Sequence, residues 1–167
     1  MGARTPYVGG NVEAIERVVA VDYLGAVWTV LAFLPGLQAG SHVVNVVSVA
    51  GTVAVGPYSA AKHAQLAFSR SLAVELWPRR VKVHTVNPGF VETPGFPQRG
   101  VRHGRIASRF VVDPPFVARR ILDAVDEDRR EVFVPRWYRP AAWLQALAPG
   151  LLATVRARTT RRPPHTH

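Results

Sequence analysis

The chain has 167 residues, 48% of them hydrophobic and 19% charged, and no cysteine. That length and balance suit one globular domain with a buried core, and the missing cysteines exclude disulfides, thiolate metal sites and cysteine nucleophiles together. The net charge of +10 is uneven, with fourteen Lys or Arg against six Asp or Glu in residues 99–167, yet the arginines come as scattered pairs (Arg119-Arg120, Arg129-Arg130, Arg161-Arg162) without interleaved aromatics, so a solvated basic surface is expected and no nucleic-acid partner.

Residues 1–6 lack the apolar stretch of a signal peptide. No apolar run reaches the roughly 18 residues of a membrane span, and a cytoplasmic location is expected. From Asn11 to Leu34 the residues Val12, Ile15, Val18, Val19, Val27 and Leu31 recur at helical intervals. Asn11 is the N-cap, with Glu13 and Glu16 near the positive end of the dipole, and Pro35-Gly36 ends the helix. The β-branched run Val43–Val47 predicts a strand buried on both faces, with Ser48 at its C-terminal end. A helix follows over Tyr58–Trp77, with Leu66, Leu72 and Leu76 toward the core and Pro78 as its stop.

Val81–Val86 is the second strand. The turn Asn87-Pro88-Gly89 then opens an irregular stretch to about Val112, long enough to serve as a substrate lid. Its apolar candidates Phe96, Ile106 and Phe110 point to a lipophilic substrate. Asp113 caps a helix that starts with Pro114-Pro115 and runs to about Asp126, before a third strand at Val132–Val134. Residues 136–167 form an apolar and basic extension to a domain of residues 1–135. Its apolar run Ala141–Val155 is broken by Pro149-Gly150 and followed by arginines. Packing on the parent domain or on a second subunit is expected, with peripheral membrane contact as the alternative.

This alternation of helix and strand predicts an α/β fold, a partial Rossmann-like doubly wound parallel sheet of about three strands with flanking helices. Ligands in such folds gather beyond the carboxyl ends of the strands, where Ser48 and the Asn87-Pro88-Gly89 turn lie and where the helix carrying Tyr58 begins. The four-residue spacing of Tyr58 and Lys62 puts both on one helix face. A phenol titrates at about 10, and an adjacent cation favours phenolate. His42, His63, His84 and His103 lack metal-ligand spacing, His165 and His167 lie in the tail, and no metal is assigned.

Val21-Asp22-Tyr23-Leu24-Gly25, Val43 to Gly51, Tyr58 to Lys62 and Asn87-Pro88-Gly89-Phe90-Val91-Glu92-Thr93 follow one another between about Glu13 and Pro135. In these motifs and their order the chain resembles the second half of the short-chain dehydrogenase/reductase family. The resemblance implies an NAD- or NADP-dependent oxidoreductase acting on a small carbonyl or alcohol. Ser48 would orient the substrate oxygen and Tyr58 would be the acid or base. Lys62 would bind the nicotinamide ribose and lower the tyrosine pKa, while Pro88, Gly89, Val91 and Thr93 would border the nicotinamide.

Three departures accompany the resemblance. The family's glycine-rich pyrophosphate turn has no counterpart, since Gly9-Gly10 follows no strand, so the 167 residues are expected to be a truncated form with weak cofactor binding. Asp22 stands where the family usually has an asparagine that holds a relay water, which adds Asp22 to the candidate catalytic group. Ser48 and Tyr58 are ten apart where thirteen is common, so the Thr52–Pro57 loop that sets their approach is short. An unpaired strand edge in such a half-sheet predicts a homo-oligomer. The alternative function is a non-catalytic remnant or interaction module.

Overall fold

The structure, a computed structural model, describes residues 6–53, 56–93 and 111–160. Helix α1 (Val12–Val19) starts where Asn11 accepts the Ala14 backbone N–H at 2.9 Å, the cap expected from sequence. It runs through a π turn at Ala20–Leu24 into α2 (Gly25–Phe33), and a short 3₁₀ turn at Leu34–Gly36 closes the segment. Strand β1 is His42–Val46, and a 3₁₀ turn at Val49–Thr52 leads toward α3 (Gly56–Leu76). Strands β2 (Lys82–Pro88), β3 (Phe90–Val91) and β4 (Val111–Val112) precede α4 (Pro114–Asp126), whose Asp113 cap accepts the Phe116 N–H at 2.9 Å. Strand β5 (Glu131–Val134) and helices α5 (Tyr138–Leu147) and α6 (Pro149–Thr160) complete the order.

Among the described residues β1, β2 and β5 form a parallel sheet in that spatial order, with His42 opposite Lys82 and Val86 opposite Val132. Each parallel pair is joined by a helical crossover, as parallel pairing requires. Alternation along β2 sends Val83 and Val86 to opposite faces. Val83 packs with Val30, Leu72, Leu76 and Val81 under α2 and α3, while Val86 packs with Val117 and Val134 under α4. A core on each face is the doubly wound arrangement that the sequence predicts, and Leu66, Leu72 and Leu76 are all buried.

A polar ladder crosses the first of these cores. Asn45 donates to the Ser69 hydroxyl at 2.9 Å, and Ser69 and Thr85 hydroxyls meet at 2.7 Å, so β1, α3 and β2 are tied by groups with no access to water. On the opposite face of β2, His84 must donate its Nδ1 proton to the Arg129 carbonyl at 2.9 Å, since a carbonyl only accepts. Its Nε2 then accepts from His42 Nδ1, also at 2.9 Å.

Four sequence expectations are corrected. β1 is half-buried, and Val46 is 45% exposed, because among the described residues β2 alone pairs with it. Asn87 and Pro88 close β2 in register with Phe133 and Val134, so the turn begins one step later, at Gly89. The stretch after it is not wholly irregular, since β3 and β4 pair in parallel; Phe96, Ile106 and Phe110 lie outside the described residues. Finally, the continuous helical run Val12–Gly36 spans 25 residues with a mean hydropathy of 1.8, long and apolar enough to cross a membrane, and 11% of its apolar window is buried. The scattered charges Glu13, Glu16, Arg17 and Asp22 hide this run from a search for uninterrupted apolar residues.

Candidate active site

The carboxyl end of β1 delivers Ser48, whose hydroxyl accepts the Ala50 N–H at 3.1 Å and lies 3.5 Å from the Pro88 carbonyl oxygen, toward which it donates. The loop then turns back onto α3. A Cβ at Gly51 would lie 2.7 Å from the Lys62 carbonyl oxygen, so glycine alone lets this loop press against the helix backbone. Ser59 secures the same contact by donating to the Ala50 carbonyl at 2.6 Å, with the Val53 carbonyl also in reach. These contacts set the approach of Ser48 to α3.

Despite the short loop, the Ser48 side chain comes near enough to the Tyr58 phenol to work against the rise in its pKa. Tyr58 stands on the first turn of α3, and one turn on, the Lys62 ammonium lies 5.8 Å from the centre of its ring. Lys62 is 8% exposed. Its ammonium donates to Gln65 Oε1 at 2.8 Å and sits 3.4 Å from Asp22 Oδ1. Gln65 is itself buried, and its amide reaches the Val46 carbonyl at 3.4 Å. Asp22 comes from the π turn, an insertion that widens one helical turn and is frequent at functional positions.

The electrostatics differ from the expectation that Lys62 lowers the tyrosine pKa. Burial, the largest cause, pushes the Tyr58 phenol above its ordinary value; the Ser48 hydroxyl pulls it down and the Asp22 charge raises it further. Burial pushes the Lys62 ammonium below its ordinary value, and the Asp22 charge and hydrogen bond work against that. The physical reason is that burial outweighs what the neighbouring cation offers, and Lys62 is itself shared with the Asp22 carboxylate.

The last expected group lies across the sheet ends. Gly89 donates to the Val134 carbonyl at 2.8 Å, which ties the turn after β2 to β5. Val91 pairs with Val112 and its side chain packs on the α4 core, so its backbone is what it can offer a ligand. Thr93 follows at the end of the described segment. Asn87 is fully buried; its amide N–H reaches Glu131 at 3.4 Å, while Oδ1 has no partner. Glu131 in turn receives both arms of Arg70 at 2.9 Å. An open cavity of about 620 Å³ lies where β4 and the start of α4 meet the segment after β5, walled by Val111, Val112, Phe116 and Trp137 with Glu92 and Arg119. None of Ser48, Tyr58 and Lys62 lines it.

Two residues at the site were missed from sequence. Gln65 stands three positions after Lys62, so helical spacing already placed it on the lysine's face. Tyr138 reaches the Gly89 turn from the far end of the chain, and no local pattern announces that.

Comparison with known proteins gives a consistent result. The family model described as short chain dehydrogenase matches residues 3–101. A dehydrogenase/reductase SDR family protein 7-like from Anopheles gambiae is 33% identical over 147 residues, covering 81% of this chain and 46% of its own length. Retinol dehydrogenase 5 of Mus musculus is 44% identical over 85 residues, 49% of this chain and 27% of that protein. The chain thus spans about half the length, or less, of the curated relatives it matches. Among solved structures, a short chain dehydrogenase from Burkholderia cenocepacia J2315 in complex with NADP superposes with a TM-score of 0.77 at 24% identity, over 97% of this chain and 66% of that one. The angucycline C-6 ketoreductase LanV with bound NADP gives 0.66 at 20% identity, over 80% and 57%.

Proposed function

Because the chain belongs to the short-chain dehydrogenase family, we propose that it interconverts a carbonyl and a secondary alcohol with NAD or NADP, and that Tyr58 is its acid or base. The observation that carries this reading is the approach of Ser48 and Tyr58 to each other beside the Lys62 ammonium, which lies 5.8 Å from the tyrosine ring centre. Two donors converging on one point are what a carbonyl oxygen needs as it gains negative charge.

The residues present fit one end of the cofactor. Lys62 keeps a donor beyond those engaged by Gln65 and Asp22, enough for a ribose hydroxyl. The orphaned Oδ1 of Asn87 sits beside the Pro88-Gly89 turn. The glycine-rich turn for the pyrophosphate has no counterpart in the 167 residues, so the fit is to the nicotinamide end. A nicotinamide, when bound there, supplies or accepts the hydride.

In the reducing direction Ser48 donates to the substrate oxygen and Tyr58 gives it the phenolic proton as the carbon is reduced. Lys62 steadies the phenolate left behind. In the oxidising direction Tyr58 takes the hydroxyl proton, which requires phenolate. A phenol held above its ordinary pKa stays protonated near neutral pH, the form that reduction uses, whereas oxidation must first remove that proton. The apolar walls Val111, Val112, Phe116 and Trp137 support a lipophilic substrate.

Asp22 in the long apolar helix makes its ion pair with Lys62 of α3, which supports reading that helix as tied to the rest of the domain at this point. The open outer edge of β1 and the exposed Val12, Trp28 and Leu31 support self-association of the chain.

The test is nicotinamide oxidation with a panel of apolar ketones and aldehydes. The chain is assayed alone and with a glycine-rich nucleotide-binding half supplied in trans, each beside Tyr58→Phe. Loss of the acid should reduce turnover by about 10²–10⁴-fold with an unchanged melting temperature. No wild-type turnover in either format would instead favour a non-catalytic interaction module.

A further inference from the structure

Gly89 is in contact with the C-terminal part of the chain. A Cβ built on it would fall 2.9 Å from Tyr138 Cδ2 and closer still to Cε2 and Cζ, so the tyrosine ring lies directly against the glycine backbone. Burial pushes the Tyr138 phenol above its ordinary pKa, and the backbone of Phe90, the next residue along, works against that from nearby. Ring and hydroxyl therefore face two consecutive residues of one turn. The turn's other attachment, Gly89 N–H to the Val134 carbonyl at 2.8 Å, comes from the strand that leads into the same helix. Tyr138 is itself fixed by its own N–H, which donates to the Pro135 carbonyl at 3.3 Å.

The helix that Tyr138 opens reaches the opposite wall of the site as well. α5 packs against the Val49–Thr52 turn that follows Ser48, and Ala142 is buried in that region of the fold. One helix thus touches the loop behind Ser48 and the turn at Gly89, which come from different strands and in the proposed mechanism serve the substrate oxygen and the nicotinamide end of the cofactor.

We propose that Tyr138 is a positioning residue that fixes the Pro88-Gly89-Phe90 turn and thereby sets the wall on which the nicotinamide end of the cofactor packs. This rests on the functional reading above. It acts through the turn and not on the reacting atoms. Its signature is therefore a change in cofactor seating with little change in the chemical step.

The experiment compares wild type, Tyr138→Phe, Tyr138→Ala, Gly89→Ala and the double variant Gly89→Ala/Tyr138→Ala in the assay above, with cofactor KM, kcat and melting temperature read for each. Tyr138→Ala should raise the cofactor KM about tenfold or more, since small misplacements at such walls are costly, and leave kcat within about twofold. Tyr138→Phe keeps the ring and loses the hydroxyl, so it should restore most of the affinity and retain a defect of about fivefold or less. Gly89→Ala should be damaging in the wild-type background and tolerated once the ring is gone, a coupling that a double-mutant cycle measures.

An unmoved cofactor KM in Tyr138→Ala, or equal damage from Gly89→Ala in both backgrounds, overturns the inference alone. If the wild type neither turns over nor binds a nicotinamide, the functional reading fails and the inference falls with it.

Discussion

Asp22 Oδ1 lies 3.4 Å from the Lys62 ammonium, so the lysine beside the candidate acid is half of an ion pair. A carboxylate at this point does two things at once. It helps Lys62 stay charged in a buried place, and it makes phenolate at Tyr58 harder to form.

Replacing Asp22 by asparagine separates those effects. The phenol loses a negative neighbour and its pKa falls; the ammonium loses the charge that was holding its proton, and its pKa falls too. Alcohol oxidation needs phenolate, so its activity should rise at lower pH in Asp22→Asn than in wild type. Carbonyl reduction needs the protonated phenol and should lose its alkaline side earlier. The pH profiles of both directions check this, and profiles that do not move would mean that the Asp22 charge is screened from Tyr58.

Gln65 gives Lys62 a neutral acceptor at 2.8 Å in a site with little water. Gln65→Leu keeps the volume and leaves the ammonium with Asp22 alone. Stability should fall by about 1–3 kcal/mol, the cost of an unmet buried donor, as read by urea unfolding. A Gln65→Leu protein as stable as wild type would show that Lys62 finds another partner.

Ser69 is fully buried between Asn45 and Thr85. Ser69→Ala strands an amide and a hydroxyl at once in a dry core, and a loss of about 1–3 kcal/mol is expected. The triple change to apolar residues at positions 45, 69 and 85 should recover part of it, because no polar group is then left unmet. A single-variant cost near zero would indicate that a water takes the place of the hydroxyl.

What was legible in the sequence was local chemistry. Asn11 and Asp113 announced their helices because an Asx side chain caps a backbone amide three residues on, and Pro78 announced a stop. Tyr58 and Lys62 were legible through helical spacing, and Ser48 through its place after a β-branched run. What escaped depends on partners distant in sequence or on a context that spacing does not carry. The half-exposed state of β1 follows from having one neighbour, while Val43–Val47 reads the same in a central strand. The π turn at Ala20–Leu24 has no residue signature, yet it is where Asp22 departs toward Lys62. The pairing of β3 with β4 and the grip of Tyr138 on Gly89 join segments separated by long stretches of chain. The electrostatic direction at Tyr58 could not be read from spacing, because burial outweighs the charge that spacing provides.

The single pairing of β1 also has a consequence in time. His42 meets Lys82, and Thr85 meets Glu131, so every strand contact in the main sheet closes a long loop, and folds built on such contacts form slowly. Until the crossover helix closes, β1 waits for β2 with its pairing groups open. During that interval another copy can offer the missing strand as readily as the chain itself. Recovery of folded protein after dilution from denaturant should therefore decline steeply as the protein concentration is raised, with the losses set before β2 docks and not by the stability of the finished sheet.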